Sequence, residues 1–298
     1  MSRLWIMMFC MLWLLSETGS VSAAKIRHIS TINADEVGEP MLYPAGVSCG
    51  GNTLLVADSG NGRLLFGTVV ENRDPLLQAL EIQQIKIPIG VVLLKNGNYL
   101  VLDGRGKRLG EIDGVSLEFQ GHLKLQGLPE PSETSIKSMA VDSSGKIYLL
   151  DSFGERVLVV DESGQFLRVI DFPDNYGFMS DLSVNQANIV YLVDSVENQI
   201  LAASPDDTHF NPLTHSQEGA VDFLTDVVSG QAGLFLLDRR QGRIVLVSFD
   251  GTILEYKFGS GFENGQFRSP ADLCLDDKGR LYVADQGNSR VQIFEIQP

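Results

Sequence analysis

The sequence predicts an all-β fold, a six-bladed β-propeller of four-stranded antiparallel blades, and three observations carry that expectation. First, an aspartate followed five residues later by an arginine recurs at the end of an apolar run. The copies are LLVADSGNGR (Asp58, Arg63), YLVLDGRGKR (Asp103, Arg108), IYLLDSFGER (Asp151, Arg156), LFLLDRRQGR (Asp238, Arg243) and LYVADQGNSR (Asp285, Arg290). A sixth, VYLVDSVENQ, keeps Asp194 but ends in Gln199. These aspartates lie 45, 48, 43, 44 and 47 residues apart, a period that marks a solenoid or propeller. Second, each period breaks into short runs rich in Val, Leu, Ile and Tyr, separated by Gly, Asn and Asp turns, with no sustained helical period. Third, the two ends of the chain complement one another.

Taken in order, residues 1–24 read as a signal peptide. Arg3 opens the segment, residues 4–15 are an uncharged apolar run, and Ser22, Ala23 and Ala24 suit signal-peptidase cleavage. Twelve apolar residues fall short of the roughly 20 that a membrane span needs. The expectation is an exported protein, periplasmic or secreted, with no stable membrane span after cleavage. The rival reading keeps the segment as a signal anchor, which would make the rest a sensor ectodomain. Cys10 sits in mid-run rather than at its end, which argues against lipid attachment there.

Residues 25–298 are expected to form one domain, because each repeat needs its neighbours to bury its faces. Residues 26–32 (IRHISTI) form a lone strand ahead of the first repeat. The last period gives strands at 271–275, 280–284 and 291–296, and the chain then stops at Pro298. Earlier periods add a fourth strand, as at 165–172 and 252–258. The last blade is therefore one strand short, and the N-terminal strand is expected to pair beside 291–296 and close the ring. An open ring would expose sheet faces and an edge to water.

The net charge is −15, and it stays so after cleavage because Arg3 and Glu17 cancel. An acidic surface repels phosphate backbones, which disfavours nucleic-acid binding. Two cysteines survive cleavage, too few for a disulfide scaffold and unneeded at 44% apolar composition. A monomer is expected.

The last period, residues 259–294, with Phe267, Pro270, the 277–279 turn and VADQGNSR, resembles the NHL-repeat family of β-propellers almost throughout. The first period resembles it at 43–46 and in VADSGNGR; the middle ones diverge, the third and fourth lacking the leading proline. The resemblance implies the six-bladed architecture. It leaves activity open, since such propellers include binding platforms as well as lyases and lactonases.

Residues opening the innermost strands line a propeller's channel. Aligned on the motif aspartates, that position holds Gly46, Gly90, Ser138, Asp181, Asp226 and Asp272. Carboxylates on three consecutive blades suit a hard cation, so Asp181, Asp226 and Asp272 are candidate ligands for calcium. Calcium usually takes six to eight oxygens, however, and the other positions offer only Gly or Ser. Related lyases hold zinc with channel histidines. Here His28, His122, His209 and His215 all fall in outer strands or their flanks, so a histidine-bound zinc is not expected.

Gly46 to Gly50 matches G-x-S-x-G, but it sits in an inner strand with no helix after it, so it is not a nucleophile elbow. Cys49 and Cys274 fall in innermost strands of the first and last blades, neighbours once the ring closes. A disulfide clasp between them and a pair of free buried thiols both remain open. The basic stretch 104–108 reads as a solvated hairpin turn.

The aspartate–arginine unit itself is expected to be structural: six copies of a catalytic residue make no chemical sense, whereas six turn clamps do. No catalytic constellation emerges. The leading functional reading is a non-enzymatic, exported module that binds or scaffolds an unknown protein partner. The alternative is a divalent-cation-dependent, lactonase-like hydrolase or lyase with its site at the central channel.

Overall fold

The structure, a computed structural model, describes residues 25–70, 73–105, 108–129, 134–214 and 219–297. The expected signal segment lies outside the described residues, as do His215 and Gly106–Lys107 of the basic turn.

Six four-stranded antiparallel sheets follow one another along the chain. Blade 1 comprises β2 (Pro44–Gly50), β3 (Thr53–Asp58), β4 (Arg63–Thr68) and β5 (Leu77–Leu80). Blade 2 comprises β6 (Pro88–Leu93), β7 (Tyr99–Asp103), β8 (Arg108–Ile112) and β9 (Phe119–His122). Blade 3 holds β10 (Ile136–Val141), β11 (Ile147–Asp151), β12 (Arg156–Val160) and β13 (Phe166–Asp171). Blade 4 holds β14 (Met179–Val184), β15 (Val190–Asp194), β16 (Gln199–Ala203) and a fourth strand of only two residues, β17 (Asn211–Pro212). Blade 5 holds β18 (Leu224–Ser229), β19 (Leu234–Asp238), β20 (Arg243–Val247) and β21 (Ile253–Lys257). Two short paired segments, β22 (Gly259–Ser260) and β23 (Gln266–Phe267), lead into blade 6, whose strands are β24 (Asp272–Leu275), β25 (Arg280–Asp285) and β26 (Arg290–Gln297).

The sixth sheet is completed from the other end of the chain. The strand β1 (Lys25–Ile32) runs antiparallel to β26, from Lys25 opposite Gln297 to Ile32 opposite Val291. The ring is thus closed as the chain ends predicted.

The second strand of each blade explains the apolar runs. Every residue of β7, β11, β15 and β19 is buried, on both faces of the sheet. A blade is sandwiched between two neighbours, so its middle strands cannot alternate polar with apolar as a one-sided sheet would. The core divides accordingly into six apolar clusters, one at each blade-to-blade interface. The cluster between blades 6 and 1 joins Ile32 and Met41 to Val47, Val56, Tyr282 and Ile293. Burying a side chain of this size stabilises by about 1.5 to 3 kcal/mol, so closure is driven by packing as well as by the strand ladder.

The repeated aspartate fastens each crossover segment to its own blade. Its Oδ1 accepts a backbone N–H from the residue entering that blade: Leu42 to Asp58 at 2.7 Å, Ile87 to Asp103 at 2.9 Å, Ser135 to Asp151 at 2.7 Å, Phe178 to Asp194 at 2.9 Å, Phe223 to Asp238 at 3.3 Å and Arg268 to Asp285 at 2.7 Å. The arginine Nε then donates to the other oxygen in blades 1, 3, 5 and 6, at 2.8, 3.1, 3.1 and 2.7 Å. Its far nitrogen reaches carbonyls of the crossover, as Arg156 does at Pro129 and Arg290 at Glu263 and Gln266. In blade 4, where Gln199 replaces the arginine, Asp194 instead accepts four amides, from Gly177, Phe178, Val196 and Glu197.

Candidate functional site

Crossovers and the hairpins between second and third strands lie at one end of the blades, here called the entry face. The other two turns of each blade lie at the opposite end. The channel between them has a volume of about 430 Å³ and is lined by the innermost strands.

A break in register shapes the entry-side mouth. In blades 1 to 5 the ladder between first and second strands slips by one residue, leaving Ala45, Ile89, Lys137, Ser180 and Thr225 unpaired. A bulge of this kind bends the strand and re-aims the extra side chain. All five line the channel, with Ala271 in the sixth blade. One arc of the mouth is apolar (Ala271, Ala45, Ile89) and the other is polar (Lys137, Ser180, Thr225). Lys137 Nζ lies 4.3 Å above the ring of Phe178. Burial pushes its ammonium below the usual lysine range, and the nearby Asp181 charge opposes that shift.

One residue deeper lie the six aligned channel positions. Gly46 and Gly90 bring two backbones together: a Cβ built on Gly46 would sit 3.0 Å from Gly90 Cα and 3.2 Å from Ile89 O. Around the rest of the ring, side chains bridge blade to blade. Ser138 Oγ donates to Asp181. Asp181 accepts the Val227 amide at 3.5 Å, Asp226 accepts the Leu273 amide, and Asp272 accepts the Val47 amide at 2.6 Å. Each carboxylate thus holds the next blade by the residue after its aligned position.

Asp226 also hydrogen-bonds both neighbouring carboxyls. Burial first, then the Asp181 and Asp272 charges, lift its carboxyl well above the ordinary range. Burial and the Asp181 charge bring Asp272 to about 7, and burial raises Asp181. Three packed carboxyls cannot all ionise in a confined space, so Asp226, between the others, holds its proton longest.

The structure therefore brings Asp181, Asp226 and Asp272 together, as the alignment placed them. Their oxygens, however, are engaged by backbone amides and by one another. Among the described residues no group of three or more His, Cys, Asp or Glu side chains is arranged to hold a metal ion.

Among the described residues the channel lining includes no histidine. His28 lies on β1 edge-on to Phe294, His122 ends β9, and His209 flanks β17. Gly46–Gly50 belongs to β2 and turns directly into β3. Cys49 and Cys274 face each other across the seam between blades 1 and 6, sulfurs 2.04 Å and Cα atoms 5.9 Å apart.

Exposed apolar side chains gather around the entry face. Leu42, Tyr43, Ile87, Phe178 and Phe262 stand on crossovers, and Phe153 and Val196 on hairpins. They span every blade but the fifth, which presents Arg239 and Arg240 instead. Arg239 reaches into blade 6, to Pro270 O at 3.3 Å and Gln286 Oε1 at 2.7 Å. Arg268 lies 5.5 Å from the Phe262 ring. Among the described residues, those comparably exposed on the opposite face are Val70, Leu76, Val115 and Phe249, with one aromatic among them. Sequence reasoning missed this face and Lys137. Their signals were present: a lone lysine among the small and apolar residues preceding the aligned channel positions, and aromatics in turns where polar residues are usual.

The repeat model named NHL matches residues 267–294. NHL repeat-containing protein 3 of Homo sapiens is 27% identical over 183 residues, which cover 53% of this chain and 51% of that protein; its Mus musculus counterpart is 28% identical over 186 residues, with the same coverage. The chain thus spans about half the length of these curated relatives. Protein lin-41 of Caenorhabditis elegans is 43% identical over 61 residues, covering 20% of this chain and 5% of that one.

Among solved structures, virginiamycin B lyase from Staphylococcus aureus superposes with a TM-score of 0.64 at 13% identity, over 92% of this chain and 100% of that one. A protein of unknown function from Bacteroides thetaiotaomicron gives 0.69 at 13% identity, over 92% and 77%. At such identities these likenesses show the fold alone. The chain is a six-bladed β-propeller that carries an NHL repeat at residues 267–294 and is similar over about half its length to NHL repeat-containing proteins.

Proposed function

We propose that this propeller is a non-enzymatic, exported binding module whose entry face docks a protein partner. The observation that carries the reading is the unequal distribution of exposed apolar side chains between the two faces. Exposed aromatics on a rigid surface, with cations beside them, are typical of protein recognition. At the centre, Lys137 sits where an acidic side chain of the partner would meet it, beside the Ser180 and Thr225 hydroxyls. The channel carboxyls are engaged in bridging blades, which supports a binding role over a hydrolytic one.

The test is capture from the extracytoplasmic fraction of the native host, using wild type and the double variant Phe153→Asp, Phe262→Asp, each with and without chelator. We expect a discrete partner retained by the wild type in chelator and released by the double variant. Retention by both proteins, or loss on chelation alone, would count against the reading and favour a cation-dependent site.

A further inference from the structure

Blade 2 breaks the arginine pattern. In blades 1, 3, 5 and 6 the motif arginine is tied to its aspartate, but Arg108 is exposed and has no ion pair among the described residues. It lines a separate cleft of about 290 Å³ between blades 2 and 3, with Leu109, His122, Leu123, Leu125 and Ile136. Leu109 and Ile136 are buried, and Leu123 and Leu125 pack on the same cluster, so the walls are apolar. The imidazole of His122 stacks edge-on against Phe119, 5.2 Å between centroids. Its Nδ1 is buried and has no hydrogen-bond partner among the described residues.

A buried polar nitrogen without a partner is costly, and its presence beside an unpaired guanidinium in a roomy cleft suggests a missing acceptor. A planar carboxylate suits one guanidinium fork plus one N–H, whereas a phosphate dianion would call for more donors. Four apolar walls call for an aliphatic tail. We infer that this cleft binds a small amphiphilic carboxylate, its head between Arg108 and the Nδ1–H tautomer of His122 and its tail against the four aliphatic side chains. The ligand could be a short fatty acid or the C-terminal carboxylate of a peptide ending in an aliphatic residue.

Titration calorimetry on the full exported chain distinguishes these sources, using octanoate for the first and N-acetyl-leucine for the second. Saturable one-to-one binding of either is expected, together with weakening of about tenfold or more in Arg108→Gln, as for loss of a charged hydrogen bond. Methyl octanoate should fail to bind. Because Arg108 is exposed, the variant should melt like wild type; Leu125→Asp provides a second probe through the tail. Failure of both acids to bind, or equal affinity in Arg108→Gln, would overturn the inference.

Discussion

All six motif aspartates are buried, Asp103 at 5% exposure and the other five at 0%. A carboxylate so placed needs its full set of donors, and removing one is expensive. We expect Arg290→Gln to lower stability by about 3 kcal/mol, the usual cost of breaking a buried pair, measured by urea unfolding. Arg108→Gln should stay within about 0.5 kcal/mol of wild type, because that arginine makes no ion pair among the described residues. Equal losses at both positions would mean that the guanidinium does not hold the hairpin.

The channel carboxyls make a separate residue-scale prediction. The folded pKa of Asp272 is about 7 against an ordinary 3.8, and that of Asp226 is also raised, so the folded state holds these protons more tightly than the unfolded chain. Stability from this source is complete below the unfolded value and falls as pH rises towards the folded one, a window from about 4 to about 7. His28, lowered by burial and by Arg290, acts in the opposite direction. The comparison is therefore made against Asp226→Asn, which retains His28. Between about pH 5 and pH 8 the wild-type melting temperature should fall relative to that variant. A parallel pair of curves would show that Asp226 holds no extra proton.

Elements join the ring in three different ways. Blade 6 is completed by β1, so deleting residues 25–32 should strip one side of β26 and open the cluster containing Ile32. A sharp fall in melting temperature is expected; an unchanged value would refute closure through this strand. Cys49 and Cys274 cross the same seam over a separation of 225 residues. Chain-entropy reasoning assigns a bond over such a loop about 5 kcal/mol. Thiol titration of denatured, unreduced protein should find no free thiol at these positions. Between blades 1 and 2 the join is backbone on backbone at Gly46 and Gly90. Gly46→Ala should cost about 1 to 3 kcal/mol, as overpacking does, because the atom it meets is main chain.

Much of this was legible beforehand. The period set the blade count, the missing strand in the last period pointed to its N-terminal complement, and alignment on the motif aspartates placed Asp181, Asp226 and Asp272 on one ring. What those carboxyls do was not legible, because their partners are amides of the next blade some 46 residues away. Lys137 was visible as a lone lysine among its counterparts, but its direction was not, because it comes from a one-residue bulge that strand alternation does not anticipate.

At the scale of the whole molecule, repetition and function separate. The six clasps and the carboxyl bridges build the ring, and on the proposed reading the residues that depart from the repeat form its docking surface. Lys137 replaces a small residue, Phe153 and Val196 occupy hairpin tips, and blade 5 carries arginines where the others carry apolar groups. On the proposed reading, the local cations at the mouth would attract an acidic group of a partner, although the net charge of −15 repels acidic groups at longer range. The proposed docking through the entry face can be tested directly by site-specific photo-crosslinking in cells of the native host. A photoreactive phenylalanine analogue would be placed singly at Phe153, Phe262, Val115 and Phe249. We expect one discrete adduct from Phe153 and Phe262 and none from Val115 and Phe249; the same adduct from the opposite face, or no adduct from either entry-face position, would contradict it.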